Sequence, residues 1–290
     1  MLDRIVATIL PVIVIVAIGW WYGRTVKPDM RALNRLNMDV CVPLLVFSAL
    51  AARGFDLAAQ WRLVPAAALV ILVSGLVAWP VARALGVNAR TLLPAAMFNN
   101  SGNMGLPLAL LAFGPEGFAG FVVLFVVSNL LHFTLGAYIF SPRTRIAGLA
   151  RNPIVIASAL GVAASLTGLH PPAPVLTGLK MLGDATIPLM LFALGVRMVS
   201  VGRAALGTGV VGALVCPLSG LVGAYAALWL IELPPAQAQL LILFGALPPA
   251  VLNFLMAEHY RQEPERMAAM VLVGNLASIA FVPLGLALAL

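Results

Sequence analysis

Six asparagines in this sequence stand where polar side chains are costly. Asn99, Asn100 and Asn103 lie inside FNNSGNMGLPL (Phe98–Leu108), Asn253 inside ALPPAVLNF (Ala246–Phe254), and Asn129 and Asn275 inside VVSNLL and LVGNLA. The first two stretches also hold helix breakers: Gly102, Gly105 and Pro107 in one, Pro248 and Pro249 in the other. Proline removes an N–H and clashes with the preceding turn, so each stretch should interrupt a helix. A new half-helix then starts with its first N–H groups free, and such an end acts as roughly half a positive charge. Two of them converging would hold an anion, with the asparagines adding neutral donors and Gly102 and Gly105 allowing close backbone approach. No Asp, Glu, Lys or Arg lies within the interior of these apolar stretches, where a cation carrier would keep a carboxylate. The chemistry implied is binding of a small organic anion. The alternative is a sodium ion held by Asn99, Asn100, Ser101, Ser128, Asn129 and Asn275.

Such residues need elements that hold polar groups inside hydrocarbon. Of 290 residues, 62% are hydrophobic and 9% charged, with a mean hydropathy of +1.05. Soluble domains carry about 25% charged residues, so this surface must face lipid. Apolar stretches of about 20 residues, enough to span a bilayer, recur at about 5–22, 34–52, 62–82, 91–113, 117–140, 153–169, 174–196, 204–230, 237–257 and 267–289. The fold expected is an all-α integral membrane bundle of ten transmembrane helices, the fourth and ninth broken, without a separate soluble domain. The first stretch lacks a small-x-small cleavage site and reads as a span. With the N-terminus outside, only Arg4, Arg53, Arg62 and Lys180 of the 17 Lys and Arg fall on the outer side. The positive-inside rule then gives a multi-pass protein of the cell (inner) membrane with both termini outside. The basic charge orients the chain and calls for no nucleic acid. Trp20, Trp21, Tyr22, Trp61 and Trp229 fit interfacial belts against membrane lipid. Cys41 and Cys216 lie within spans and read as packing residues.

The chain also repeats. DVCVPLLVF (Asp39–Phe47) and DATIPLMLF (Asp184–Phe192) share D-x-x-x-P-L-x-x-F at an offset of 145 residues, half the chain, and Asn129 pairs with Asn275 at 146. Residues 1–140 and 153–290, joined by a short cytoplasmic linker at 141–152, then hold five spans each. Five is odd, so the second half enters from the opposite side. That is the inverted-repeat plan of many secondary transporters, with substrate near the midplane on interrupted helices.

On these motifs the chain resembles the auxin efflux carrier family. ALPPAVLNFLMAEHY (Ala246–Tyr260) is similar to that family's A-L-P-x-x-x-x-x-F-x-x-A-x-E-Y, with His259 inserted before the tyrosine. NSGNMGLPL (Asn100–Leu108) is similar to its N-x-x-x-M-G-x-P-L, and span order extends the likeness over most of the chain. The resemblance implies a fold like that of sodium/proton antiporters and bile-acid symporters. It implies a scaffold of spans 1, 2, 6 and 7, a transport unit of spans 3–5 and 8–10, and a crossover at Pro107 and Pro248/Pro249. A homodimer through the scaffold and an elevator-like movement belong to the same expectation. The substrate would be an auxin-like or other carboxylate; bacterial members are linked to dicarboxylates such as malate or malonate. The substrate-binding set is then Asn99, Asn100, Asn103, Gly105, Pro107, Asn129, Pro248, Pro249, Asn253 and Asn275. The long cytosolic loop of the plant carriers is missing, and Asn253 stands where plant members often have proline.

Two rivals remain in view. A sodium-coupled organic-anion symporter of the bile-acid type would use the polar cluster named above. An intramembrane aspartyl protease would need Asp39 and Asp184 paired within a few ångström. Inverted topology puts them at opposite faces, Met38 precedes Asp39, and Asp184 ends MLGD. No enzyme is expected, and both acids read as helix N-terminal residues favouring the dipole. His132, one turn beyond Asn129, could shuttle protons, although a packing histidine is preferred. No cofactor is expected beyond coupling to sodium or protons.

Overall fold

A computed structural model describes residues 2–52, 57–142, 151–200 and 206–290. Arg53, Arg143, Arg145 and Arg203, which enter the topology argument, and most of the linker lie outside them. Among the described residues all regular structure is helical apart from one isolated bridge.

Helix α1 (Leu2–Val26) precedes a rod made of α2 (Arg31–Leu36), a π-helical turn at Asn37–Cys41, and α3 (Val42–Leu50). Short α4 (Leu57–Gln60) leads into α5 (Leu63–Ala84). Asn88 starts α6 (Ala89–Met97) by accepting from Arg90 N at 3.0 Å, which satisfies one of the helix's orphan donors. A π-helical stretch, Ser101–Gly105, opens α7 (Leu106–Leu131), and π-helical His132–Gly136 joins it to α8 (Ala137–Phe140). The run Ser101–Phe140 counts 40 residues, about twice what a ~30 Å hydrocarbon layer accommodates. Gly114 divides it: its φ of 70° and ψ of −169° belong to a region essentially closed to other residues.

Asn152 caps α9 (Pro153–Thr167) by accepting from Ile154 N at 2.9 Å, and left-handed Gly168 ends it. There follow α10 (Ala173–Asp184), α11 (Thr186–Arg197), α12 (Leu206–Leu230), α13 (Pro235–Gly245), α14 (Val251–His259) and α15 (Pro264–Ala289). Seven helical runs among the described residues are long and apolar enough to cross a membrane. Their outer faces agree, since α1 exposes Leu10, Ile13 and Ile18, and α12 exposes Val210, Leu214 and Leu218. Continuous apolar surface of that kind marks contact with lipid. This is a multi-pass membrane protein. The apolar stretches at 91–113 and 237–257 are each interrupted, as expected from their breakers.

Helix α1 lies on α11 through glycines. A Cβ on Gly19 would run into Phe192 O, and one on Gly195 into Val16 O. Small residues let backbones approach where lipid removes the hydrophobic drive for association. Helix α3 packs on α9 and α10, while α5, α6, α12, α13 and α15 pack together and α7 touches both groups. Asp39 and Asp184 each pair with a base one turn earlier, Arg35 at 3.4 Å and Lys180 at 2.6 Å. Asp184 is the last residue of α10, so ion pairs replace the expected role at helix N-terminal ends. Both cysteines are buried and free.

Candidate functional site at the crossing of two broken helices

The extended pieces Phe98–Asn100 and Leu247–Ala250 meet. Asn100 N donates to Pro248 O at 2.7 Å and Ala250 N to Phe98 O at 2.9 Å, forming an antiparallel bridge between Asn99 and Pro249. Side chains satisfy further carbonyls. Asn99 Nδ2 donates to Phe244 O at 2.6 Å, and Asn253 Nδ2 to Phe98 O at 2.8 Å. Asn275 Nδ2 donates to Pro249 O at 3.1 Å, and Cys216 Sγ to Leu247 O at 3.5 Å. Asn100 Nδ2 donates to Asn275 Oδ1 at 2.6 Å. An unpaired backbone group in hydrocarbon costs several kcal/mol, so these contacts are what make breaks within two apolar stretches tolerable.

Beside the bridge lies a cavity of about 100 Å³, well above the ~10–15 Å³ that one water needs. The starts of both half-helices line it: Ser101, Gly102 and Asn103 on one wall, Ala250, Val251 and Leu252 on another. Ser128, Asn129 and His132 line it from the α7 segment, Asn34 and Asn37 from the α2 rod, and Arg197 from the end of α11. The first N–H groups of each half-helix have no intrahelical partner and carry partial positive charge. None of the described lining residues is acidic, and Arg197 is the single one with a permanent charge. Three π-helical turns supply lining residues: Asn37 and Met38, Ser101 to Asn103, and His132. Such turns shift side chains out of the α-helical register and are frequent at functional sites. An adjoining cavity of about 340 Å³ shares Asn34, Leu194, Arg197, Val251 and Leu255, and adds Arg31 and Glu258.

Asn37 Oδ1, Asn99 Oδ1, His132 Nε2 and Asn253 Oδ1 are buried without a hydrogen-bond partner among the described residues. The His132 ring is 3% exposed and stacks on Phe98 with centroids 4.1 Å apart.

Of the residues expected at the site, Asn99, Asn100, Asn103 and Asn129 line the cavity, as do Ser101 and Ser128. Gly105, Pro107, Pro248, Pro249, Asn253 and Asn275 do not. The chain leaves helix α6 at Phe98, so Pro107 is not at the crossover. It sits in the first turn of α7, directly after the π-helical turn Ser101–Gly105. Gly105 makes room for side chains: its Cβ would stand 2.6 Å from the Phe121 ring and 2.8 Å from Leu247. Pro248, Pro249, Asn253 and Asn275 build the crossing itself. Asn275 Oδ1 accepts from Asn100 Nδ2 at 2.6 Å, and the residue lines the adjoining cavity. Sequence reasoning passed over Asn34 and Asn37, although two asparagines three apart in an apolar span are a signal. Arg197 was assigned to membrane orientation, and its place at the end of a span held no sign of anything more.

A family model described as membrane transport protein matches residues 4–146 and, a second time, residues 144–285. The chain belongs to this family. The resemblance to auxin efflux carriers, drawn from the two broken-span motifs, is thereby borne out. This membrane transport protein is similar to a "Putative malonate transporter" of Rhizobium meliloti, with 26% identity over 313 aligned positions, 96% of this chain and 94% of that one. It is also similar to an "Uncharacterized transporter" of Methanothermobacter thermautotrophicus, with 29% identity over 203 positions, 66% of this chain and 67% of the relative. Family and relatives point to transport rather than catalysis.

Proposed function

We propose that this membrane transport protein carries a small organic anion, a carboxylate of about the size of malonate, bound in the 100 Å³ cavity. The lining carries this reading: two half-helix N-termini, neutral amides and the Arg197 guanidinium, with no acid among the described lining residues. Half-helix ends attract anionic groups, and a guanidinium offers a carboxylate a fork of donors. The relative named for malonate supports a dicarboxylate, one carboxylate at the half-helix ends and Asn103, the other at Arg197.

In this reading ten spans form two inverted five-helix repeats. The paired D-x-x-x-P-L-x-x-F strings support it, each with its ion pair, as do two family matches that divide the chain near residue 145. The group of α1, the α2–α3 rod, α9, α10 and α11 is the scaffold, where a homodimer forms. The rest is the unit that moves, elevator-like, with the crossing aboard. A cavity of about 390 Å³ between the two groups, lined by Glu116, Lys180 and Asp184, supports access from a second side. Both termini lie outside the cell (inner) membrane. Single cysteines in a background lacking Cys41 and Cys216 test this: one at Arg151 should label from inside, one at Glu116 from outside.

A sodium-coupled version rests on Asn99 Oδ1, a buried acceptor lacking a donor among the described residues. Loss of binding in sodium-free choline buffer would select it. The main test is thermal unfolding of purified protein with mono- and dicarboxylates, and with amines as controls. A ligand of the folded state raises stability with the logarithm of its concentration. Dicarboxylates should do so and amines should not. Stabilisation by organic cations alone would overturn the anion reading.

A further inference from the structure

The three cavities described above each take a charged side chain into their lining: Arg197 in one, Arg31 and Glu258 in the next, Glu116 and Lys180 in the third. A fourth, of about 320 Å³, has none among the described residues. We propose that it is a phospholipid site, with one acyl chain in the groove and an anionic headgroup on Arg24 at its end. The proposal goes beyond the anion reading, since the groove shares Leu194 alone with the crossing cavity.

Helix α1 supplies one wall. Ile9, Val12, Ile13, Val16, Ala17 and Trp20 line the groove at spacings of three and four, which keep them on one face of the helix. From Ile9 to Trp20 that face rises about 16 Å at 1.5 Å per residue, close to the ~15 Å of hydrocarbon in one leaflet. Met104 and Leu108, around the start of α7, and Ile279 on α15 line it as well. Ile13 and Ile279 are exposed, so the groove opens sideways onto apolar surface. Its two polar lining residues, Asn275 and Ser278, have their groups engaged: Ser278 Oγ donates to Asn275 O at 2.6 Å, and the Asn275 amide serves the crossing. A polar solute would give up hydration here and meet no free charge or amide. A hydrocarbon chain gives up nothing.

One end of the groove carries charge. Trp20 suits a membrane interface, and one turn further on the Arg24 guanidinium lies over its ring, 5.3 Å from the centroid. Arg24 is exposed, and no acid pairs with it among the described residues. Lys27, also exposed, follows α1 directly. Bases just beyond a membrane-spanning stretch draw anionic lipid, and a guanidinium offers phosphate a fork of donors. An acyl chain in this place touches α1, α7, α11 and α15 together. Through Met104 and Leu108 it also backs the half-helix that begins at Ser101.

The test is thermal unfolding of the purified full chain in neutral detergent micelles, with phosphatidylglycerol added stepwise. Phosphatidylcholine of the same chains and inorganic phosphate alone are the comparisons. Phosphatidylglycerol should raise the midpoint to a plateau, because a ligand of the folded state stabilises it. Phosphatidylcholine should need roughly fivefold more lipid for the same rise, and free phosphate should do nothing. Arg24→Gln should raise the phosphatidylglycerol requirement roughly fivefold and remove the preference between the two lipids. Ala17→Phe, which puts a ring into the groove from an exposed position, should abolish the response to both. Fluorescence gives a measurement on the unmodified groove: phosphatidylglycerol with brominated chains should quench, saturably, the emission that Trp20→Phe removes. No plateau, an unchanged response in Ala17→Phe or Arg24→Gln, or Trp20 emission that the brominated lipid leaves intact would each overturn the inference. So would a second copy of the chain in the groove, seen as a doubled mass in lipid-free micelles that Ala17→Phe halves. Malonate is absent throughout, so these outcomes hold whether or not a carboxylate binds at the crossing.

Discussion

Replacing Asn275 with leucine should destabilise the protein far more than the same change at Asn253, although both are buried asparagines at the crossing. The Asn275 side chain takes part in three hydrogen bonds: to Pro249 O at 3.1 Å, to Val271 O at 2.7 Å, and from Asn100 Nδ2 at 2.6 Å. Val271 lies inside helix α15, and its carbonyl keeps a helical partner. Pro249 O and Asn100 Nδ2 lose their only partners among the described residues. Stranding a buried polar group costs about 1–3 kcal/mol, which gives about 2–6 kcal/mol for the two. Interhelical bonds in membranes average only ~0.6 kcal/mol because the unfolded state finds partners too, so the lower half of that range is expected. Asn253→Leu strands little, since Phe98 O keeps Ala250 N at 2.9 Å and an unpartnered Oδ1 disappears. Its expected loss is about 0.5–1 kcal/mol. Equilibrium unfolding in mixed micelles, followed by tryptophan fluorescence, separates the two values. Adding Asn100→Leu to Asn275→Leu should return part of the loss, because the stranded amide goes with it. Equal losses for both single variants, or a larger one at Asn253, would refute this account of the crossing.

Arg197→Gln should lower malonate affinity by roughly 10–100-fold, the value of a hydrogen bond to a charged group; acetate should lose much less if the guanidinium serves a second carboxylate, and titration calorimetry reads both. Asn103→Leu removes a donor from the cavity and none from the crossing, so affinity should fall roughly tenfold while the unfolding midpoint stays near that of the wild type. Gly195→Val would push side-chain atoms into the backbone of α1, where Val16 O already occupies the space a Cβ would need. Overpacking of this kind costs about 1–3 kcal/mol, and a disulfide engineered between α1 and α11 should then form more slowly.

Breaks in two spans were legible because proline, glycine and asparagine are anomalous in apolar sequence. Their location was not. Phe98–Asn100 precede Gly102, Gly105 and Pro107 and follow Pro94, which α6 contains, and the exit from α6 is set by a partner segment, Leu247–Ala250, that local propensity does not contain. The division of labour among the asparagines was equally hidden. Asn103 faces the cavity while Asn253 and Asn275 hold carbonyls, and rotamer and neighbour decide that, not residue type. A base at the end of an apolar span serves orientation by default, and only closure of the bundle brings Arg197 to the cavity that Ser101 and Asn103 also line.

The bridge between Asn99 and Pro249 also sets a timetable for biosynthesis. Ribosomes add about 5–20 residues per second, so the 150 positions separating the two residues take roughly 8–30 s to emerge. Through that interval the first break has none of its later partners: no Pro248 O for Asn100 N, no Ala250 N for Phe98 O. Pro107 keeps the nascent segment from healing into a regular helix, because its ring opposes the carbonyl one turn earlier. The first break therefore stays open until Leu247–Ala250 are made, and the last helices to be made are the ones that seal it.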